Sequence, residues 1–372
     1  MNVPKLRFKE FSDEWQVMKI SNISSGITKG TTPKKYSDSG INFIKVENIH
    51  DNTITNINSY ISTNTHNGKL KRSILKENDI LFSIAGALGR TAIVKKDILP
   101  ANTNQACSII RLDNPDEINL NYLINRLNNT DIKNYIFKCQ SVGAQPNLSL
   151  EQVNNILISY PSKTEQRKIG KLLSIIDKKI ELQSKKIEAL KLFKLYIRNK
   201  LLLDAQNKKI KLRDLVKCDS STITLSDIEN DFGPYPIYGA TGLIKRIEKY
   251  NYENEYIAII KDGAGVGKTI LCNSKSSIIA TMNALISINE YPINYIYEHI
   301  NKIKFEKYIV GSGIPHIYFK DYGNEEFYIH NLEEANKIDI IFKCLDKKIE
   351  LLSSKLNKLN KLKKGLMQNM FV

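Results

Sequence analysis

The chain has 372 residues, 42% hydrophobic and 25% charged, which is ordinary for a globular protein and predicts two or three domains with a sizeable core. Lys and Arg number 55 against 39 Asp and Glu, a formal charge of +16 that favours a polyanionic partner, nucleic acid before an acidic membrane surface, although Lys-rich coding feeds the same balance. Five dispersed cysteines without a Cys-x-x-Cys pair and five scattered histidines argue against a disulfide framework or a zinc motif, no apolar run approaches a membrane span, and the polar Met1–Asp13 is no signal peptide, so a cytoplasmic location is expected.

In chain order, the first framework feature is Lys19-Ile20 with Ile23. The apolar run Ile80–Ile84, the glycine segment Gly86-Ala-Leu-Gly-Arg-Thr91 and the second run Ala92–Val94 read as strand, glycine turn, strand. Gly143-Ala-Gln-Pro-Asn-Leu148 follows. Pro161 then precedes Ser162 and Glu165, spaced as a capping box, so a helix is expected from about Lys163 to Leu203. Some 40 residues at 1.5 Å each make a rod of ~60 Å. Its stripe runs Ile169, Leu173, Ile176, Ile180, Gln183, Ile187, Leu190, Lys194, Ile197 and Leu201, a 3-4 spacing that buries one narrow face against another helix. Lys stems at the polar breaks are expected to snorkel out of that seam.

The second half repeats this order. Asp177-Lys-Lys-Ile-Glu-Leu182 returns as Asp346-Lys-Lys-Ile-Glu-Leu351, a spacing of 169 (346 − 177). The same offset relates Leu190 to Leu359, Lys194 to Lys363, and the capping pair Ser162/Glu165 to Asn331/Glu334. The second stripe reads Ile338, Phe342, Leu345, Ile349, Leu352, Leu356, Leu359, Lys363, Leu366 and Met370. Upstream the likeness is fainter. Gly89-Arg90-Thr91 corresponds to Gly267-Lys268-Thr269 at an offset of 178 (267 − 89), which also links Thr103 to Thr281 and Ala106 to Ala284. Gly313-Ile-Pro-His-Ile317 echoes the segment ending at Leu148, and Lys211-Leu212 with Leu215 echoes Lys19-Ile20. The organisation is domain, helix, domain, helix.

Asp262-Gly-Ala-Gly-Val-Gly-Lys-Thr269 approaches a phosphate-binding P-loop, which needs Gly, four residues, then Gly-Lys-Ser/Thr. Asp262 stands where that pattern needs its first glycine, and the matching Gly86–Thr91 is no P-loop, so both segments read as one duplicated glycine turn carrying a cation. Gly89 and Gly267 are expected to serve the backbone, through positive φ or close approach, and Trp15, the only tryptophan, to lie in the core. No Gly-x-Ser-x-Gly elbow, methyltransferase Asn/Asp-Pro-Pro-Tyr segment or dinucleotide fingerprint appears, which lowers an enzymatic reading.

With these features in place, the chain resembles the specificity (S) subunits of type I restriction–modification systems. The resemblance rests on the domain–helix order, on Pro161 to Ile169 opening Thr164-Glu-Gln-Arg-Lys-Ile-Gly-Lys-Leu-Leu173, on the duplicated Asp-Lys-Lys-Ile-Glu-Leu, on the two glycine landmarks, and on Ser25–Pro33 followed by Tyr36 and Gly40–Ile44. It covers essentially the whole chain; the second helix departs, with Asn331-Leu-Glu-Glu-Ala-Asn336 in place of the Glu-Gln-Arg segment. The resemblance implies an α+β chain of two mixed α/β target-recognition domains, separated by two long helices packed as an antiparallel coiled coil with pseudo-twofold duplication. The expected divisions are 1–160, 161–203, 204–330 and 331–372. It further implies that each domain reads half of a bipartite, asymmetric DNA target, that the helices set the spacing and dock two DNA-methyltransferase subunits, and that restriction subunits join this core. The chain itself would do no chemistry and hold no cofactor or metal; S-adenosylmethionine, ATP and Mg would belong to the partners.

Base edges are read by Arg or Lys at guanine and by Asn or Gln at adenine, while other cations neutralise phosphates. Candidate DNA contacts are therefore the polar turn residues Lys29, Lys34, Lys35, Arg90, Gln145 and Asn147 in the first domain, and Lys245, Arg246, Lys268 and His316 in the second. Two rival readings stay open: a nucleotide-hydrolysing enzyme using Lys268 and Thr269, and a coiled-coil scaffold that binds other proteins.

Overall fold

The computed structural model describes residues 3–114, 118–139, 146–203 and 208–371. Two compact units emerge, and each takes part of both long helices: Met1–Gln183 with Lys355–Val372, and Ser184–Ser354. The strands of the first unit used below are β1 (Gln16–Lys19), β2 (Ser24–Lys29), β3 (Ile41–Ile44), β4 (Tyr60–Ile61), β5 (Ile80–Ser83), β6 (Thr91–Ile93), β7 (Ala101–Thr103), β8 (Cys107–Leu112) and β9 (Leu157–Tyr160). Its helices are α1 (Leu120–Leu127) and α2 (Thr130–Cys139), and α3 (Lys163–Leu203) is the first long helix. The second unit adds β10 (Lys208–Lys211), β11 (Val216–Ser220), β12 (Tyr235–Gly239), β13 (Gly242–Ile247), β14 (Tyr256–Ile260), β15 (Thr269–Cys272), β16 (Ser277–Ile278), β17 (Met282–Ser287) and β18 (Glu326–Ile329). Its helix α4 (Ile293–Ile300) precedes the second long helix, α5 (Leu332–Asn369).

The duplication extends to every sheet just named. A four-stranded sheet has the order β2-β8-β5-β6 in one unit and β11-β17-β14-β15 in the other, with every pairing antiparallel. A three-stranded sheet, β4-β3-β7 or β13-β12-β16, contains one parallel pair in each case. The first and last strands of each unit close on one another as β1–β9 and β10–β18. The predicted strand–turn–strand segments are the hairpins β5–β6 and β14–β15, and β5 and β14 are wholly buried, as their unbroken apolar runs require. Ile20 and Leu212 are both fully buried just after β1 and β10, so the Lys-Ile and Lys-Leu correspondence is structural. Trp15 is 3% exposed and packs with Tyr122, Ile169, Leu173, Met370 and Phe371, as a core residue should.

One correspondence shifts. The offset of 178 holds at the glycine turns but not at Thr103/Thr281 or Ala106/Ala284. The ladders put Ser83 opposite Cys107 and Ile260 opposite Met282, so Ala106 is matched by Thr281, and its carbonyl accepts from Ile84 and Ala85 as that of Thr281 accepts from Lys261 and Asp262. Turns of unequal length had aligned the wrong threonines.

In both stripes every position anticipated to pack is buried or half-buried: Ile169, Leu173, Ile176, Ile180, Ile187 and Leu190 on α3, and Ile338, Phe342, Leu345, Ile349, Leu352, Leu356 and Leu359 on α5. Within each unit the helix segments run antiparallel. In the first, Ile169 and Leu173 cluster with Met370 and Leu366, while Asp177 lies further along beside Lys363. In the second, Leu201 and Leu202 join Ile338 and Phe342, and Lys194 reaches Asp346. The lysine breaks do not snorkel. Lys363 Nζ lies 2.6 Å from the Asp177 carboxylate, and Lys194 Nζ 2.7 Å from Asp346 and 2.7 Å from Glu298. Because offset 169 converts Asp177 into Asp346 and Lys194 into Lys363, these are one interaction made twice.

One helix start meets expectation and the other does not. Asn331 caps α5 by accepting from Glu334 N at 2.9 Å. At α3 the box does not form: Glu165 is fully buried, and its carboxylate takes Nε and Nη2 of Arg7, both at 2.8 Å. A bidentate pair with a guanidinium outcompetes a single bond to the helix end.

Reversing one charge, Lys363→Asp, should cost about 1 kcal/mol by setting two carboxylates face to face, and Asp177→Lys in the same chain should recover most of it; chemical denaturation of the wild type and the two variants checks this. His299 supplies a pH dependence. It is 1% exposed, wedged against Tyr295 and Phe327, and its Nε2 finds no partner among the described residues. Burial, helped by Lys302 and His330, holds the imidazole down to about 3, against 6.5 when free. The unfolded chain therefore binds the proton first, so stability is full above about pH 6.5 and falls with pH below it, by roughly 2 kcal/mol at pH 5. His299→Phe should flatten that acid limb in denaturation midpoints measured at pH 7 and pH 5.

Candidate nucleic-acid interface

Each unit gathers loops at one end of its four-stranded sheet. In the first, β2 ends at Lys29, and the chain turns at Gly30, whose N–H donates to Cys107 O at 3.0 Å. A Cβ there would stand 2.1 Å from Asn104 O, so only glycine permits the approach. Thr31 N donates to Thr103 O at 3.0 Å, and the Thr32 hydroxyl donates to the Gln105 side-chain oxygen. The turn after β5 lies alongside the Pro146–Leu148 strip: Leu148 N donates to Ile84 O at 2.8 Å, and Ala85 pairs with Asn147. Lys29, Lys34, Lys35, Gln105 and Asn147 are exposed on these loops.

The second unit repeats the plan with other side chains. Ile317 N donates to Lys261 O at 3.0 Å, Gly263 N to Pro315 O at 2.9 Å, and Asp262 pairs with His316. Ala280 N donates to Ile223 O at 2.7 Å, tying in the loop after β11. Ile314 is 70% exposed at the tip, Lys268 is exposed on the glycine turn, and the half-buried His316 ring lies edge-on to Tyr318 at 4.9 Å.

The sequence candidates therefore divide. Lys29, Lys34, Lys35 and Asn147 are exposed in one unit and Lys268 in the other, where the half-buried His316 stands at the pairing position of Asn147. Arg90 is half-buried, and its Nη1 donates toward Val46 O and Ile49 O at 3.3 and 3.4 Å. Lys245 lies on β13, where its Nζ donates to Ile228 O and Glu229 O at 2.6 and 2.7 Å and sits 3.9 Å from the Phe232 ring. Arg246 Nη1 donates to Pro234 O at 2.6 Å. These three bind their own backbone. Gln145 falls outside the described residues. Sequence reasoning missed Thr32 and Gln105; the signal was the Thr103–Ala106 match, which marked the right turn at the wrong offset.

Gly89 and Gly267 have φ of 75° and 85°, and a Cβ would stand 2.7 Å from Ile136 and 2.5 Å from Phe305 respectively. Thr91 Oγ1 accepts from Asn128 at 2.6 Å and donates to Asn52 at 2.7 Å, while Thr269 Oγ1 donates to Asn301 at 2.9 Å. The Gly-cation-Thr segment thus latches a hairpin to the helix behind it. A P-loop feeds a helix whose threonine hydroxyl is free for a metal ion; here a strand follows, and the hydroxyl is engaged. Among the described residues no group of three or more His, Cys, Asp or Glu could hold a metal ion. No helix among them is long and apolar enough to cross a membrane.

Sheets, glycine latches and loop pairings thus recur in both units, which makes the chain a tandem duplication with unlike loop side chains. The chain belongs to the type I restriction modification DNA specificity domain family, whose model matches residues 12–192 and 205–361. It is 29% identical over 136 residues to the type I restriction enzyme EcoBI specificity subunit of Escherichia coli, covering 35% of this chain and 27% of that protein. It is 28% identical over 197 residues to a protein named as the type I restriction enzyme MjaX specificity subunit of Methanocaldococcus jannaschii, covering 51% and 45%. These alignments span less than half the length of either relative. In fold it matches the crystal structure of the type I restriction–modification S subunit from M. genitalium, with a TM-score of 0.74 at 19% identity over 100% of this chain and 99% of that one.

Gly267→Ala combines a strained φ with a clash against Phe305 and should cost about 1–3 kcal/mol. Gly263→Ala, also at positive φ but with open space for its Cβ, should cost less. Thermal melts of the two variants give the comparison.

Proposed function

We propose that this chain is the DNA-specificity subunit of a type I restriction–modification complex, each unit reading one half of a bipartite, asymmetric target and neither doing chemistry. The observation that carries this reading is repetition of the framework without repetition of the face. The sheet orders, glycine latches and loop-pairing bonds recur, whereas Lys29, Thr32, Gln105 and Asn147 on one side are answered by Lys268, Ile314 and His316 on the other. A protein that read a palindrome would gain nothing from that difference.

On this reading the exposed lysines and amides of the loop faces meet bases and phosphates, and the bracing cations Lys245 and Arg246 hold the loops in shape. The methyltransferase subunits, two per chain, dock on the long helices. Their outer faces expose Ile175, Leu182 and Leu362 in the first unit and Leu192, Phe193 and Tyr196 in the second, more apolar surface than a solvated helix face needs. Restriction subunits join through that core. S-adenosylmethionine, ATP and Mg sit in the partners, and the complex works in the cytoplasm.

Co-expression with a methyltransferase partner, followed by single-molecule methylome sequencing, should reveal one target of two unlike half-sites at a fixed gap. Adenine modification at an undivided or palindromic site would reject the reading. Inserting four residues after Ser184 and after its counterpart Ser353 should lengthen the helices by ~6 Å, close to two base pairs at ~3.4 Å each. The half-sites should persist with a longer gap; an unchanged gap would reject the ruler.

A further inference from the structure

The first unit contains an open groove of about 650 Å³ between the Ile49–Asn52 turn, the glycine latch, the start of α2 and the last turns of α5. Arg90, Lys133, Lys363 and Lys364 line it, against one acid, Asp51. Lys363 is held by Asp177, but Lys133 and Lys364 are exposed and make no ion pair among the described residues. The Arg90 bonds to Val46 O and Ile49 O fix its guanidinium at the groove wall.

The second unit provides an internal control. Its equivalent groove, about 360 Å³, is lined by Lys191, Lys194, Leu195 and Arg198 of α3, which the offset of 169 relates to Asn360, Lys363, Lys364 and Met367 of α5. There the protein supplies its own anion. Glu298 of α4, 1% exposed, lies 2.7 Å from Lys194 and 3.8 Å from Arg198, and Asp346 completes the set. In the first unit the position of Glu298 is filled by Asn125, within the matching helices Leu120–Leu127 and Ile293–Ile300, and the position of Leu195 by Lys364. One groove is neutralised from within; the other lacks the internal carboxylate, and although its long helix supplies two cations where the second unit has three, Arg90 and Lys133 add to them.

We infer that the groove at Arg90, Lys133 and Lys364 binds a backbone phosphate of duplex DNA, giving the first unit a sequence-independent grip that the second lacks. This rests on the proposed DNA-reading role. A duplex is favoured over other anions because the groove joins the recognition loops: Leu88 and Lys133 also line a smaller pocket with Gly86, Phe137 and Pro146, next to Asn147. A strand lying on those loops has its phosphates carried toward Lys133.

The test compares the full-length wild type with Lys133→Gln/Lys364→Gln, binding a labelled target duplex and a scrambled duplex across a salt series. Both positions are exposed, and unchanged melting temperatures check that the fold is kept. The slope of log affinity against log salt should become shallower by about one, with the same roughly tenfold loss of low-salt affinity on both duplexes. An unchanged slope with intact binding would overturn the groove assignment alone; no duplex binding by the wild type would overturn it together with the functional reading. Loss of methyltransferase co-purification with an unchanged slope would make the groove a protein contact, and stabilisation by inorganic phosphate with an unchanged slope would make it a free-anion site. Either result excludes the duplex assignment.

Discussion

The antiparallel contact between the long helices depends on one ion pair made twice. Two helices with a narrow apolar stripe can slide past one another by a turn at modest cost, because Leu and Ile pack against Leu and Ile in several registers. A carboxylate and an ammonium beside the stripe favour a single register, since a slip parts each charge from its partner. Asp177 with Lys363 and Asp346 with Lys194 supply that constraint in each unit. The acid of each pair belongs to the repeated Asp-Lys-Lys-Ile-Glu-Leu segment, and its lysine to the other copy's helix, so a single duplicated sequence carries its own register.

With the helices fixed, the remaining architecture divides labour between framework and face. The framework is buried, hydrogen-bonded through backbone and repeated: wholly buried central strands, glycine turns with a blocked Cβ, and a threonine–asparagine latch. The loop faces are held by backbone bonds to this framework, which leaves their side chains free to differ. Specificity in the proposed role can therefore change without disturbing the fold, since Asn147 and His316 occupy the same pairing position with different chemistry.

The same logic explains a segment that otherwise suggests nucleotide binding. Gly-Val-Gly-Lys-Thr269 has the residues of a phosphate loop but sits in a hairpin, and its threonine is consumed by Asn301. Comparison of the units also separates structural from available charge. Lys194 and Arg198 face a buried carboxylate, whereas Lys133 and Lys364 face solvent across an open groove.

The sequence by itself determined what depends on local spacing and repetition: both long helices and their seams, the hairpin around each glycine turn, the burial of Trp15, and the order of domains. Periodicity reports which face of an element is apolar, and duplication shows which positions are framework. Long-range pairing had to come from the tertiary structure. Glu165 was spaced for a cap, yet Arg7, 158 residues distant, took it. Lys194 and Lys363 looked like defects in a stripe until each met an aspartate on the other helix. Arg90, Lys245 and Arg246 carry the charge that base or phosphate contact needs, and only the fold turns their donors to backbone carbonyls. Charge and spacing are written in the chain, but which donor an acceptor meets is decided by the three-dimensional path between them.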